Sequence, residues 1–351
     1  MNIVFRADSS VDIGSGHIMR CLTLANQLAA GGARVSFMSR EVPGVMIDAI
    51  QRYGHSCLLL RADKDNAETD VPALLQTIGR VDWLIVDHYG LDSKWEARMR
   101  PLVRKIMVID DLANRPHDCD LLLDQNFYYG YESRYDGLVS DATRRLLGPT
   151  YVLLRPEFSS ARGALRQRDG IIRRILVFFG GSDPSNQTLS ALEGIDALQR
   201  PDILVDAVVG TANPHWDEVR TFCDSRPWVN FHYQISNMAE FIAAADLGVG
   251  AGGAAMWERC ALGLPTLTVT FADNQVRTTQ DVSKAGAIAY LGWSSDLSSA
   301  DYTNAILALL DRPDDLLCIS AKALELIDAS NNGVDSVIRA MKEITKKKAI
   351  C

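Results

Sequence analysis

The sequence predicts an α/β protein built from two doubly wound, parallel-sheet domains. Three observations carry that expectation. Strand-length apolar runs alternate with helix-period patterns, the alternation occurs in two successive series, and glycine-rich turns follow several of the runs. The runs are continuously apolar rather than alternating, which marks parallel strands buried on both faces. At 351 residues the chain also exceeds what one hydrophobic core usually serves.

The first series places strands at Asn2–Phe5, Arg34–Met38, Ser56–Leu60, Trp83–Asp87, Lys105–Ile109 and Leu121–Leu123. The second places them at Arg174–Phe179, Ile203–Val209, Val229–Tyr233, Leu247–Gly250, Thr266–Thr270 and Ala287–Leu291. Between the series, Ser159–Arg173 is polar, basic and glycine-containing, the character of a linker. The expected division is an N-terminal domain over 1–160, a linker over 161–173 and a C-terminal domain over 174–330. An amphipathic helix within 331–351 would pack back on the N-terminal domain, its Lys346-Lys347-Lys348 end solvated and complementing the helix dipole. Two such domains would face each other across a cleft, with ligands at the carboxyl ends of the strands.

Composition narrows the function classes. A formal net charge of −8 argues against nucleic acid or an anionic membrane as the main partner. A phosphate site would then be built locally, from glycine N–H groups and helix starts. The seven cysteines show no CxxC or other metal-ligand spacing, so reduced thiols and no metal are expected. Met1 leads straight into a strand, and no apolar run reaches membrane-spanning length. Cytoplasmic residence without membrane insertion is the expectation.

The most informative segment joins the first strand to the first helix and includes Gly14, Gly16 and His17. Glycines let a backbone approach a ligand closely, and unpaired N–H groups at a helix start favour negative charge. His17 stands where the helix begins, where the dipole disfavours imidazolium, so a neutral ring able to accept a proton is expected. A second turn, Phe179-Gly180-Gly181-Ser182-Asp183-Pro184-Ser185-Asn186, allows close approach of a diphosphate at Gly180 and Gly181. It is equally an ordinary turn capped by Ser182 or Asp183. The third is longer: Gly248, Gly250, Gly252 and Gly253 end a strand and open a short helix. Glu258, one turn in, suits two adjacent ribose hydroxyls, although a first-turn carboxylate can also be a plain surface residue. Asn274 and Gln275, after the strand Thr266–Thr270, offer amides to sugar or phosphate oxygens or else cap the next helix. In the first series Asp87-His88-Tyr89-Gly90, Asp110-Asp111 and Asp124-Gln125-Asn126 close successive strands, as expected where an α/β domain shapes a sugar pocket. Taken singly each is a turn or cap former, and His88 reads better as a satisfied structural histidine.

In combination these motifs resemble a known family. Arg6-x-Asp8-x-Ser10 with Ile13-Gly14-x-Gly16-His17-Ile18-x-Arg20 is similar to the amino terminus of the UDP-2,4-diacetamido-2,4,6-trideoxy-β-L-altropyranose hydrolases of pseudaminic acid biosynthesis. The likeness runs on through Asp87-His88-Tyr89-Gly90, Cys119-Asp120-Leu-Leu-Leu, Leu153-Leu154-Arg155-x-Glu157-Phe158, Gly180-Gly181-x-Asp183, Gly252-Gly253, Trp257-Glu258 and Asn274-Gln275, in matching order over most of residues 1–290. The family looks like a relative of the peptidoglycan N-acetylglucosaminyltransferase. The resemblance therefore implies a GT-B fold of two Rossmann-like domains, with the nucleotide held mainly by the C-terminal one. It implies the backbone of Ile235 facing uracil, Glu258 facing the ribose, and Gly16-His17 and Gly252-Gly253 near the diphosphate. His17 would be the catalytic residue, with Arg6, Asp8, Gly14, Gly16, Arg20, Asp87, His88, Tyr89, Asn126, Gly180, Gly181, Asn274 and Gln275 forming the rest of the site.

The chemistry so implied is hydrolysis of the anomeric C–O bond of a UDP-linked diacetamido sugar with inversion, without cofactor or metal, by a monomer binding UDP-sugar and UDP. Two alternatives stay open on the sequence: an inverting glycosyltransferase using a UDP-sugar donor, and a non-catalytic sugar-nucleotide-binding protein. Release of UDP with water alone, with an acceptor only, or not at all separates the three.

Overall fold

A computed structural model describes residues 1–9, 16–42, 46–61, 67–76, 80–327 and 332–346. The chain divides into two compact units, one of residues 1–153 with 331–351 and one of residues 154–330.

Unit 1 opens with β1 (Asn2–Ala7), α1 (Gly16–Ala30), β2 (Arg34–Arg40), α2 (Ile47–Arg52), β3 (Ser56–Leu60), α3 (Ala67–Gln76) and β4 (Val81–Asp87). It continues through α4 (Ser93–Met99), β5 (Val103–Ile109), β6 (Leu121–Asp124) and β7 (Arg144–Leu147). Its seven strands are ordered β3-β2-β1-β4-β5-β6-β7, and each pair is parallel. Both faces of this sheet are covered, and the apolar runs show why they are uninterrupted. Ile3 and Phe5 of β1 enter one core while Val4 enters the other; Trp83 and Ile85 of β4 oppose Leu84 and Val86 in the same way. Successive side chains point to opposite faces, so a strand covered on both sides favours apolar residues at successive positions. β7 was not expected from the sequence. Its Arg-Arg-Leu-Leu segment is short and half polar because it forms the edge of the sheet, where one side stays open.

Unit 2 comprises α5 (Pro156–Arg162), β8 (Arg174–Phe178), α6 (Gln187–Asp196), β9 (Leu204–Val209), α7 (Trp216–Asp224), β10 (Val229–Tyr233) and α8 (Met238–Ala244). It continues with β11 (Leu247–Ala251), α9 (Ala254–Ala261), β12 (Thr266–Thr270), α10 (Asp273–Lys284), β13 (Ala289–Trp293), α11 (Ser299–Leu310) and α12 (Pro313–Leu326). The six parallel strands are ordered β10-β9-β8-β11-β12-β13. Ile175 and Val177 of β8 enter one core and Leu176 the other. β13 starts at Ala289, two residues later than the periodicity places it, and Ala287 and Ile288 are buried before it.

The boundary also differs from the expected one. Residues 154–173 belong to unit 2, not to an N-terminal domain and a linker. The polar, basic stretch is held down by its arginines: the buried Arg168 donates to the carbonyls of Ile242, Ala245, Leu262 and Gly263, and Arg162 donates to those of Ala261 and Leu324. Arginine's five donors can satisfy several helix-end carbonyls at once, so a basic segment need not be solvated. The last helix, α13 (Gly333–Lys346), lies in unit 1, where Val334, Val337, Ala340 and Met341 join the core that contains α1. Trp83 of β4 donates its indole N–H to Thr345 of this helix at 3.1 Å.

Candidate active site

In a parallel sheet all carboxyl ends lie along one edge, and a crevice opens where the strand order reverses. In unit 1 the reversal falls between β1 and β4. α1 follows β1, and Asp87 is the last residue of β4, paired in register with Ala7 of β1. His17 and Arg20, three residues apart, share a face of the first turn of α1. That turn has no acidic residue, so two basic side chains stand at the helix start against the dipole. Asp87 supplies the compensation. Arg20 grips its carboxylate in a two-point pair, Nε to Oδ2 and Nη2 to Oδ1, both at 2.6 Å.

His17 Nδ1 lies 2.5 Å from Oδ1 of the same carboxylate. A nitrogen that close to a carboxylate oxygen carries the proton, so in the neutral ring the lone pair lies on the other nitrogen, Nε2. Nε2 makes no hydrogen bond among the described residues, and the side chain is 9% exposed, with Tyr89 set edge-on at 4.6 Å. Burial pushes the Asp87 carboxyl up, but the Arg20 charge and then His17 more than offset it, leaving it well below the usual carboxylate range. Burial likewise pushes the Tyr89 hydroxyl well above its ordinary value, with Asp111 and Asp87 adding to the effect, so it stays a neutral donor.

The remaining residues of the unit 1 motif are placed less directly. Gly14 lies outside the described residues; Gly16 is exposed, with open space where a Cβ would stand. Arg6 is fully buried, pairing with Asp8 at 2.6 Å and Asp70 at 3.2 Å. A guanidinium with no exposed surface supports the strand end and does not present itself to a ligand, which corrects its assignment to the site. Asp8 accepts from Arg6, from the Arg40 N–H and from His88 Nε2. His88 accepts the Gly90 N–H at Nδ1 and donates from Nε2 to Asp8, so both ring nitrogens are engaged and it is a structural histidine. Asn126, 8% exposed beyond β6, interacts through its side chain with Tyr128. Asp110 and Asp111 follow β5. Tyr135 donates to Asp110, while Asp111 takes Arg20 Nη1 at 3.2 Å. Among the described residues no three His, Cys, Asp or Glu side chains are grouped as a metal ion would need.

In unit 2 the strand order reverses between β8 and β11. After β8, Gly180 takes a φ of 94° and Gly181 fits against Gly210, whose Cβ would lie 2.6 Å from Gly181 Cα. The helix start beyond this turn is already occupied. Asp183 accepts the N–H groups of Gln187 and Thr188 and the Thr188 hydroxyl at 2.9, 2.8 and 2.6 Å. Asp183 thus caps α6 beyond the turn, while the N–H groups of Gly180 and Gly181 donate to nothing among the described residues.

After β11 the situation is opposite. Gly253 is the N-cap of α9 with a φ of 79°, has no side chain to cap with, and is followed by Ala254 and Ala255. The N–H groups of Gly253, Ala254 and Ala255 donate to nothing among the described residues, which leaves an open helix start of the kind that binds anions. Gln275 lies alongside: its side chain would be 3.6 Å from a Cβ on Gly252 and 3.4 Å from one on Gly253, while its Oε1 accepts the Phe271 N–H. Asn274 precedes it in the first turn of α10.

Glu258 stands one turn into α9, its side chain 20% exposed. Arg155 Nη2 reaches its Oε1 at 3.2 Å and Glu157 at 3.1 Å. Burial raises the Glu258 carboxyl above its ordinary value, and Arg155 opposes the rise. The contact with Arg155 was not anticipated, because only the fold of 154–162 into unit 2 brings the two segments together. Ile235 follows β10 after Gln234, which has a φ of 53°. The peptide N–H and C=O of Ile235 are unpartnered among the described residues.

Residues 175–331 match the glycosyltransferase family 28 C-terminal domain. A protein of uncharacterised function from Methanocaldococcus jannaschii is 26% identical over 77% of this chain, which spans only 55% of that relative's length. The spore coat polysaccharide biosynthesis protein SpsG of Bacillus subtilis is 25% identical, with 83% of this chain and 84% of the relative covered. The UDP-2,4-diacetamido-2,4,6-trideoxy-β-L-altropyranose hydrolase of Campylobacter jejuni is 26% identical over 82% of this chain and 97% of its own length, which bears out the resemblance seen in the motifs. Among solved structures, MurG of Acinetobacter baumannii is similar with a TM-score of 0.64 at 13% identity, covering 97% of this chain and 99% of its own. Anabaena HepE, solved with UDP and glucose, is similar with a TM-score of 0.56 at 12% identity over all of both chains. The fold is that of GT-B proteins, two Rossmann-like parallel-sheet domains. No helix among the described residues is long and apolar enough to cross a membrane.

Proposed function

We propose that this protein hydrolyses a UDP-linked 2,4-diacetamido-2,4,6-trideoxyhexose to UDP and the free sugar, a reading supported by the match of residues 175–331 to the glycosyltransferase family 28 C-terminal domain and by the similarity to the Campylobacter jejuni hydrolase. The observation that carries this reading is the His17–Asp87 pair, held by Arg20, with Nε2 of the ring left open. Nε2 takes a proton from water as the water oxygen bonds to the anomeric carbon. The bond from that carbon to the phosphate oxygen breaks on the opposite face, its electron pair leaves with UDP, and the configuration inverts. Asp87 stabilises the imidazolium that forms and fixes the ring's tautomer, while Arg20 keeps Asp87 ionised. The open N–H groups of Gly253, Ala254 and Ala255 stabilise the charge of the departing diphosphate. Glu258 accepts from the ribose hydroxyls, and the unpartnered Ile235 peptide offers one donor and one acceptor to the edge of uracil.

The test is incubation of the purified protein with the UDP-linked diacetamido sugar in water, following UDP and free sugar by chromatography. Stoichiometric release of both without an added acceptor supports hydrolysis. Release that waits for an acceptor would make the protein a transferase, and tight binding without release would make it a binding protein.

A further inference from the structure

We infer that Asp111 is a specificity-determining residue whose open carboxylate oxygen accepts a hydrogen bond from an N–H or O–H of the sugar. The inference rests on the UDP-sugar reading and assigns the sugar end of that substrate to a residue outside the catalytic pair.

The geometry singles out Asp111 from its neighbours. Its backbone carbonyl accepts the Tyr128 hydroxyl at 3.0 Å and Arg134 Nη2 at 2.9 Å, so the main chain is pinned from two sides. Its Oδ2 takes Arg20 Nη1 at 3.2 Å, and that guanidinium also grips Asp87, the partner of His17. One arginine therefore joins Asp111 to the catalytic pair. The Asp111 side chain also takes the Tyr89 hydroxyl, and its Oδ1 is the atom left buried with no hydrogen-bond partner, in a residue only 7% exposed. Asp110, next in the chain, also has an oxygen without a hydrogen bond, but Arg115 lies 2.8 Å from it. Asp124 is spoken for by Arg134, Tyr135 and the Asn126 N–H.

A buried carboxylate oxygen without a donor is costly, and a ligand that supplies one recovers that cost. The chemistry of the donor follows from the charge. Arg20 already compensates Asp111 in part, so the open oxygen suits a neutral N–H or O–H rather than a second cation. A diphosphate carries no donor and would be repelled, so Asp111 selects the sugar end of the molecule. Diacetamido sugars offer amide N–H groups, and a hydrogen-bonding site discriminates most strongly against a ligand that leaves its buried polar atom unpaired.

Calorimetric titration tests this in a His17→Ala background, where the UDP-linked diacetamido sugar survives intact. The readout is the ratio of the dissociation constant of UDP to that of the UDP-sugar. Adding Asp111→Ala is expected to lower this ratio about tenfold or more, with UDP affinity itself held within about twofold. Asp111→Asn, which keeps a carbonyl acceptor and the side-chain shape, is expected to lower it less, and it carries the test if the alanine variant does not fold. A ratio unchanged in both variants overturns the proposal. A fall in UDP and UDP-sugar affinity by the same factor overturns it too, because a merely structural role would act on both. Absence of hydrolysis by the unmodified protein is a failure of the functional reading instead, and leaves the ratio to report on Asp111.

Discussion

At the scale of single residues, the proposed hydrolysis turns on the imidazole of His17. On that proposal His17→Ala should lower kcat by roughly 10²–10⁴-fold with UDP affinity unchanged, measured by UDP release and by calorimetry. Near-native turnover in that variant would exclude His17 as the base. A second residue makes a prediction about stability. Burial pushes the Asp124 carboxyl up to about 7, against the opposing Arg134 charge and the Asn126 N–H, with Asp111 and Asp110 adding to the rise. A carboxyl raised above its unfolded value, about 3.9, favours the fold while it is protonated. Its contribution is complete below that value and is lost as pH rises through about 7. The melting temperature of the wild type should therefore drop relative to that of Asp124→Asn between pH 5 and pH 8. Parallel pH profiles for the two proteins would show that Asp124 does not titrate there.

At the scale of elements, two glycines are fixed by what lies next to them. Gly253 caps α9 with a φ of 79°, a conformation that an L side chain rarely adopts, and Gln275 stands 3.4 Å from where its Cβ would be. Gly253→Ala should tilt the helix start and weaken UDP binding by about tenfold, by calorimetry, while circular dichroism stays native. Gly333 opens α13, and a Cβ there would lie 2.3 Å from the Val152 carbonyl oxygen. Gly333→Ala must push α13 away from the chain beneath it, at a cost of about 1–3 kcal/mol in chemical denaturation, with UDP binding intact. The elements themselves were largely readable. Among the described residues, twelve of the thirteen strands coincide with largely apolar runs, as strands of a parallel sheet covered on both faces favour. β7 escaped because its four-residue Arg-Arg-Leu-Leu segment is short and half polar, with no apolar run to mark it.

At the scale of the molecule, two sheets with separate cores should unfold as two cooperative units. Scanning calorimetry should give a calorimetric enthalpy larger than the van't Hoff value. UDP at about one hundred times its dissociation constant should stabilise the transition of unit 2 by about 2.7 kcal/mol and leave that of unit 1 in place. A single two-state transition moved as a whole by UDP would contradict this. The assignment of α13 to unit 1 belongs to the same scale, since its apolar face joins the core beneath α1 across most of the length of the chain.

Local pattern was enough to announce the α/β class, the order of strands and helices, the uncapped glycine start at Gly253 and the histidine at the first turn of α1. Each of these depends on residues adjacent or one turn apart, and such patterns are written in the chain directly. Folding alone assigned the partners. Whether Asp183 caps a helix or leaves its N–H groups to a ligand, whether His88 is spent on Asp8, whether Arg6 is buried, and that Asp87 and Asp111 share Arg20 are matters of which distant strand ends meet. A carboxylate or an arginine reads the same in sequence whether paired or open. Its chemistry follows from its neighbours, and those are chosen by the order of strands in a sheet.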